Sequence, residues 1–512
     1  MSTTTFGARD LAQLTERGIA PAEAERQLAL LARAPGWATL DRPCTPGDGI
    51  ERLSDARIES LLASQARAAA AGRVSAFVPA SGAATRMFRD LLAARATADE
   101  LLPERVRARD DAPSRALVTF VEALPRFAFA EALSRVLAAR GHALERVRTR
   151  GPWRLLLDAF LGPDGLDAGR APKGLLLFHR EHGTARTAFE EHLIEACALT
   201  GDAHGARSLH VTVSLEHREG FERLLAERLP ALSADYGGHW HVRFSAQHLS
   251  TDTLAADPAG GPFRDDDGRL LFRPGGHGAL IANLGATGAD LAFIKNIDNV
   301  AVSRLRGESE RWSRALVGLV AELSEQLRGH CRALASGDPA AMPRARAFAA
   351  GELGLAIPDA ADPHEALALL ERPVRVCGMV ANVGEPGGGP FWVRDAAGTT
   401  RQIVESTQVD AGEAGQQAIL RAATHFNPVF IAASLRAADG RPHALARFAD
   451  DAAGIITRKS YGARELLALE RPGLWNGGMA RWHTRFIEVP LAVFNPVKTL
   501  FDLLRPEHQG SE

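Results

Sequence analysis

Four short stretches of this sequence place small residues, isolated cations and a carboxylate where they could handle a phosphate. The first is Pro79-Ala80-Ser81-Gly82-Ala83-Ala84-Thr85-Arg86-Met87, which follows the apolar run Val74–Val78 and precedes a helical pattern. Small side chains let backbone N–H groups approach an anion, a following helix adds its positive end, and Arg86 supplies a two-pronged donor. The loop is neither a P-loop nor a hydrolase elbow, because GxxxxGK and GxSxG are both absent from it. The second stretch, Ala171-Pro172-Lys173-Gly174, presents a lysine on a Pro/Gly turn. In the third, Arg273-Pro274-Gly275-Gly276-His277-Gly278, the glycines leave room for a flat ligand against the backbone. The fourth is Ile294-Lys295-Asn296-Ile297-Asp298-Asn299, an apolar strand running out into a carboxylate and an amide. That is the C-terminal strand edge where open α/β sheets bind ligands. A lone Asp there suits Mg²⁺, which takes one or two carboxylates and fills its shell with phosphate oxygens and water. Read singly, each of the last three also fits an ordinary turn or strand end.

Lysine usage adds a second signal. Only Lys173, Lys295, Lys459 and Lys498 are lysines among 60 basic residues, so the chain writes arginine almost everywhere a cation is needed. Arginine is a wide planar fork and lysine a compact point charge, so a surviving lysine can mark a place the fork does not fit. Chance survival is the competing explanation for any one of them.

The elements that must position these residues read as an α/β fold. Residues 1–72 are predicted as a helical N-terminal extension, from the spacing of Leu11, Leu14, Leu28 and Leu31 and the Ala-rich stretch Glu51–Ala71. Strands are predicted at Val74–Val78, Gly174–Phe178, Ser208–Ser214, His239–Ala246 and Leu291–Ile297, with helices over Thr187–Leu199 and His217–Leu229 between them. Such alternation argues a three-layer, mostly parallel, helix-covered sheet in a core spanning 73–345, interrupted by a helical insertion at 98–171. A C-terminal mixed part, 346–512, carries strands at Val374–Ala381, Phe391–Arg394, Thr400–Val404 and Val429–Ala433.

Composition excludes several classes. Sixty basic and 62 acidic residues give a net charge of −2, so no global field attracts nucleic acid or an anionic membrane. Hydrophobic residues at 46% and charged residues at 24% are the balance of a folded globular chain. No apolar run reaches the length of a membrane span, and the N-terminus lacks a signal-peptide pattern. Four scattered cysteines form no CxxC, so a reducing, cytoplasmic location is expected. The sequence does not indicate an oligomeric state.

In this order, the four stretches resemble the UDP-sugar pyrophosphorylase group of nucleotidyltransferases. Its signature loop runs Leu-Ala-Gly-Gly-x-Gly-Thr-Arg, followed by Pro-Lys-Gly, Pro-x-Gly-Asn/His-Gly and an apolar strand ending Asp-Asn. Gln402-Ile403-Val404-Glu405-Ser406 is similar to a Val-Val-Glu-Tyr-Ser stretch of the UDP-N-acetylhexosamine branch. Phe494-Asn495-Pro496-Val497-Lys498 with Asp502-Leu503-Leu504 is similar to the Phe-Leu-Pro-Val-Lys and Asp-Leu-Leu islands of UTP–glucose-1-phosphate uridylyltransferases. The matched islands are short and spread over residues 74–504, and the whole chain also resembles an uncharacterised bacterial family labelled domain of unknown function 4301. Ser81 and Ala84 stand where the group's loop has glycine.

The resemblance implies a nucleotide-diphospho-sugar transferase fold and the joining of an NTP, by default UTP, to a sugar 1-phosphate, giving an NDP-sugar and pyrophosphate. It implies that Ser81, Gly82, Ala83, Ala84, Thr85, Arg86 and Lys173 hold the triphosphate and that Gly276, His277 and Gly278 flank the base. Asp298 is then expected to position Mg²⁺. Asn299, Glu405 and Asn427 are expected to face the sugar, with Lys459 and Lys498 at its phosphate. An NDP-sugar-dependent glycosyltransferase, or a catalytically inactive nucleotide-binding regulator, are the alternatives. Asp265-Asp266-Asp267 reads as a solvated turn, and His179-Arg180-Glu181-His182 and His239-Trp240-His241 as surface or strand histidines without a completing ligand set. Trp475 fits either a sugar platform or core packing.

Overall fold

The computed structural model describes residues 6–33, 36–82, 84–97, 99–384, 387–395 and 398–510. The chain divides into two compact units: Met1–Phe77, Ser245–Ile294 and Ser313–Leu491 form the first, and Val78–Phe244, Lys295–Trp312 and Ala492–Glu512 the second. These are not the predicted boundaries. Strand pairing joins residues hundreds of positions apart, so a unit assembles from several separate stretches.

The first unit is built on a mixed sheet in which parallel pairs predominate. Its order is Gly49–Glu51, His483–Glu488, Val374–Ala381, Phe430–Ser434, Leu291–Lys295 and Val74–Pro79. Leu291–Ile294 pairs parallel with Val74–Phe77, and Val374–Met379 pairs parallel with His483–Glu488. Phe77, Ile294, Cys377, Met379, Ile431 and Phe486 all point into one buried cluster. Near-continuous apolar runs of this kind are what strands covered on both faces require. A smaller antiparallel sheet joins Leu40–Pro43, Gly389–Asp395 and Gly398–Val404.

Residues 1–72 are therefore not a separate helical extension. The helices Ala8–Arg17 and Pro21–Leu31 pack Leu14, Leu28 and Leu31 against Leu254, Leu270 and Leu469. Gln13 and Gln27 accept the backbone N–H groups of Leu270 and Leu254 at 3.0 and 2.8 Å. Leu40–Pro43 and Gly49–Glu51 are strands of four and three residues in a Pro/Gly-rich stretch, too short for any periodicity to reveal. Cys44, Cys197, Cys331 and Cys377 are all free.

The second unit holds the neighbouring strands Ala206–Thr212 and His239–Ser245 and the helices Ala188–Thr200 and Arg218–Tyr236. Five helices lie between Pro103 and Leu161. Phe120, Phe127, Phe129 and Phe160 stack among them, the closest ring centroids 4.4 Å apart. The predicted strand Gly174–Phe178 is corrected. Lys173–Leu175 is a single tight turn, and among the described residues the strand Leu177–Glu181 pairs only with Thr184–Thr187, as a hairpin. Gly174 sits against Phe221, where a Cβ would lie 2.7 Å from the ring, so the backbone is pressed into the core rather than into a ladder.

Candidate active site

The second unit brings four of the sequence islands together. Ala80 begins the loop that leaves Val74–Pro79, and its N–H donates to Thr212 O at 2.8 Å. Gly82 is exposed, and a Cβ there would meet nothing within 4 Å, so bare backbone faces open space. Thr85 and Arg86 are exposed and Ser81 half-buried, whereas Ala84 is fully buried. Ala83 lies outside the described residues. Helical geometry does not resume directly after the loop: a tight turn, Ala84–Arg86, separates it from the short helix Arg89–Arg95.

The lysine turn lies against this loop through its backbone. Lys173 N–H donates to Gly82 O at 3.4 Å, and Ala84 N–H to Ala171 O at 3.3 Å. The Lys173 ammonium then reaches Asp298 Oδ2 at 2.6 Å and Val497 O at 2.8 Å. Both charged side chains keep slightly under a fifth of their surface exposed, which makes them accessible but not freely solvated. Asp298 follows the buried strand Leu291–Lys295, the edge predicted from the run Ile294-Lys295-Asn296-Ile297.

The C-terminal segment closes this group. Val497 N–H donates to Asp298 O at 3.0 Å. Asn299 is buried, its Oδ1 accepting Asn495 N–H at 2.8 Å and its Nδ2 donating to Val493 O at 3.2 Å. The expectation that Asn299 faces a sugar is thus corrected: both ends of its amide are spent on holding residues 493–495 in place. The same segment carries Lys498. No enclosed slot surrounds it; the residue is exposed, with its ammonium 5.6 Å from the Phe494 ring centroid. Asp502 accepts the N–H groups of Lys498 and Thr499 at 2.9 and 2.7 Å and so fixes the turn that presents the lysine. Lys498→Arg is accordingly expected to leave turnover within about twofold of wild type, as solvated basic positions generally do. A loss of tenfold or more in kcat at unchanged melting temperature would show that the fork is excluded after all.

A second buried group, missed by the sequence reading, anchors the same unit. His179 is fully buried, its Nδ1 3.0 Å from Glu191 Oε1 and its Nε2 2.9 Å from His508 Nδ1. A carboxylate only accepts, so the His179 proton stands on Nδ1. Glu191 also receives Arg186 Nε at 2.9 Å and Arg306 at 2.6 Å. Burial pushes the Glu191 carboxyl up, but His179, Arg306 and Arg186 outweigh it and hold it down at about 2. Burial, reinforced by His179 and Arg505, lowers His508 to about 3.

These two shifts give a pH dependence of one sign. Below about pH 6.5 an unfolded chain protonates His508 while the folded chain does not, so stability falls from there towards pH 3. Below about pH 4.5 the unfolded chain also takes a proton at Glu191, and a second loss runs down towards pH 2. Urea midpoints are expected to drop between pH 7.5 and pH 5.5, with a smaller drop in His508→Phe. A flat profile in wild type is the outcome against it.

The first unit holds the other predicted residues. Gly276 has φ +71°, and Gly275 and Gly278 press so closely on the carbonyls of Thr251 and Pro472 that neither has space for a Cβ. The glycines are therefore accounted for by backbone packing. His277 lies 4.5 Å from the Trp475 ring centroid, and its Nδ1 accepts Leu474 N–H at 3.2 Å, which leaves the proton on Nε2. Burial lowers its pKa against the pull of Glu405 and Glu470. A neutral ring with one N–H donor results. Glu470 carries no motif, yet it sits beside Gly276 and 3.7 Å from the Lys459 ammonium. Asn427 is buried; its Oδ1 accepts Val429 N–H at 3.0 Å, and its Nδ2 has no partner among the described residues. Val429 has φ +59°, a conformation a β-branched residue rarely adopts and one found disproportionately at functional sites.

Among the described residues no cluster of three or more His, Cys, Asp or Glu is placed to hold a metal ion. Asp265 accepts Asp267 N–H and Arg269 N–H at 3.0 and 2.8 Å, so the triple-aspartate stretch is a turn. No helix among the described residues is long and apolar enough to cross a membrane.

A family model described as a domain of unknown function, DUF4301, matches residues 7–509. The chain belongs to that family. No curated protein matches it. Solved structures similar to this DUF4301 chain include the uridine diphosphate N-acetylglucosamine pyrophosphorylase of Trypanosoma brucei, at 14% identity and a TM-score of 0.49, covering 97% of this chain and 78% of that one. The UDP-glucose pyrophosphorylase of Leishmania major is similar at 11% identity and a TM-score of 0.43, covering 98% and 79%. A UDP-glucose phosphorylase of Trypanosoma brucei is similar at 12% and 0.43, covering 98% and 78%.

Proposed function

We propose that the protein is a nucleotidyltransferase that joins an NTP, by default UTP, to a sugar 1-phosphate and releases pyrophosphate. The observation that carries this reading is the junction of Lys173 and Asp298, 2.6 Å apart, with the Lys173 backbone bonded to the exposed loop at Gly82. One cation and one carboxylate beside a loop that exposes the backbone of Gly82 suit a polyphosphate better than a neutral substrate.

In the reaction, a phosphate oxygen of the sugar 1-phosphate attacks the α-phosphorus. A new P–O bond forms there, the bond to the bridging oxygen of the β-phosphate breaks, and pyrophosphate leaves with that electron pair. No covalent intermediate on the protein is required, so the task is alignment and charge neutralisation. Arg86 and the loop amides bind the triphosphate, and Lys173 places a point charge at the bridging region. Asn299 holds the segment 493–498 along Asp298 and thereby sets where Lys498 stands. The resemblance assigns base and sugar contacts to His277, Glu405 and Asn427, which belong to the first unit.

Asp298 is the residue to hold Mg²⁺. Among the described residues no group of three or more His, Cys, Asp or Glu gathers there, which suits an ion that completes its shell from phosphate and water and does not suit zinc. Bound there, the ion would neutralise charge building on the phosphate oxygens. The test is a panel of NTPs and sugar 1-phosphates assayed for Mg²⁺-dependent pyrophosphate release. Release with at least one pair supports the reading; tight nucleotide binding with no release from any pair would favour a regulator instead.

A further inference from the structure

We propose that the first unit carries a separate binding site for the hydroxyl-bearing ring of a free sugar, in a cavity bordered by Trp37. The cavity measures about 490 Å³ and is lined by residues that include Trp37, Gln402, Gln408, Asp450, Asn476 and Arg481. None of the residues given a role in nucleotidyl transfer lines it.

Asn476 lines the cavity, and its amide keeps a buried acceptor without a donor among the described residues. Asn476 is 2% exposed and its Oδ1 has no partner among the described residues. The orientation of that amide is fixed by its neighbours. Glu405 N–H donates to Gln408 Oε1 at 3.0 Å, so that atom is an oxygen, and the Asn476 atom 3.0 Å from it must be the NH₂ group. The unpaired atom is therefore the carbonyl oxygen. A buried acceptor left unpaired is costly, and the missing partner must be an O–H or N–H donor. A fully ionised phosphate ester has no such donor, whereas each sugar hydroxyl has one.

The mouth supplies a platform. Trp37 is 43% exposed although its backbone is pinned on both sides. Ala38 N–H donates to Gln408 O at 2.8 Å, Arg394 N–H donates to Thr39 O at 2.9 Å, and Gly36 packs on the Ala452 carbonyl with no space for a Cβ. The backbone that carries the exposed indole is thus held in place. An apolar ring face, an amide acceptor, the Asp450 carboxylate and the exposed Arg481 guanidinium together match a sugar ring, which offers C–H groups on its faces and hydroxyls around its edge. The anomeric phosphate is not needed for any of these interactions.

The full-length protein is tested by saturation-transfer NMR with D-glucose, D-galactose, D-mannose and N-acetyl-D-glucosamine, none of them phosphorylated. At least one is expected to bind, with Trp37→Ala weakening it about fivefold or more and Trp37→Phe retaining most of it. Trp37→Ala is expected to leave pyrophosphate release unchanged, and Asp298→Asn to leave sugar binding unchanged, so the two sites fail independently. Absence of binding by all four sugars, survival of binding in Trp37→Ala, or its loss in Glu405→Gln instead would each overturn the proposal. In the last case the sugar would occupy the site assigned to nucleotidyl transfer.

Discussion

Asp298→Asn is expected to lower kcat for pyrophosphate release by about 10²–10³-fold, the scale on which removal of one preorganised charge contact acts. The substitution keeps the shape of the side chain and removes its charge. Lys173 then loses the carboxylate 2.6 Å away and retains only Val497 O, so its ammonium is free to follow the ligand instead of staying fixed. Stability should change far less. The pair is partly exposed on both sides, and such pairs contribute about 1 kcal/mol or less. Lys173→Met should show a comparable loss, and the double variant should be little worse than either alone, because residues that act as a unit are not additive. Near wild-type turnover of Asp298→Asn at limiting Mg²⁺ would remove Asp298 from the chemistry, and additive losses would separate the two residues.

The parts of the fold that were legible are those whose signal is local. Val74–Pro79 and Leu291–Lys295 are buried along nearly their whole length and read as continuous apolar runs. Thr187 and Glu190 form a reciprocal cap, with backbone-to-side-chain bonds of 2.8 and 3.2 Å, so the start of the helix at Ala188 was readable within one residue. The strand His483–Glu488 was not, because His483, Thr484 and Arg485 look like a polar loop. In the structure His483 is buried and its Nε2–H donates to Leu370 O at 2.9 Å, and Arg485 pairs with Glu352 at 2.7 Å. Only partners more than a hundred residues away make those side chains acceptable in a strand.

Lysine scarcity was informative for two positions out of four. Lys173 and Lys295 each meet a carboxylate, at 2.6 and 2.7 Å, in a confined space suited to a point charge. Lys295 is 4% exposed and bonded to Glu195 and Ser309, which gives it a structural role behind the strand. Lys459 is partly exposed and 3.7 Å from Glu470, and Lys498 is exposed, so neither environment excludes arginine. Lysine scarcity thus marks confined ammonium groups without distinguishing ligand-facing ones from structural ones. That distinction depends on Glu195 and Asp298, which are distant in sequence from the lysines they hold or are held by.

Glu191→Gln is expected to cost about 3–5 kcal/mol, the penalty for breaking a buried charge group by removing one partner. The site has no slack to absorb the change. Glu191 is fully buried, and its two oxygens receive Arg186, Arg306 and His179. Glutamine keeps one acceptor and turns the other into a donor that faces a guanidinium or the imidazole N–H. Arg306 is itself buried and its Nε already lacks a partner among the described residues, so it would be left with its charge uncompensated. The effect should reach the C-terminal segment, because His508 is tied to Glu191 only through His179, while Val497 and Asn495 lie along Asp298 and Asn299 upstream of it. A melting temperature lower by roughly 6–20 °C is expected, at about 2–4 °C per kcal/mol for units of this size. Limited proteolysis should release a fragment from within residues 492–510 earlier in Glu191→Gln than in Asp298→Asn. If Glu191→Gln melts within a degree of wild type and its C-terminus is cleaved no faster, the buried group does not anchor that segment. The position of Lys498 would then rest on Asn299 and Asp502 alone.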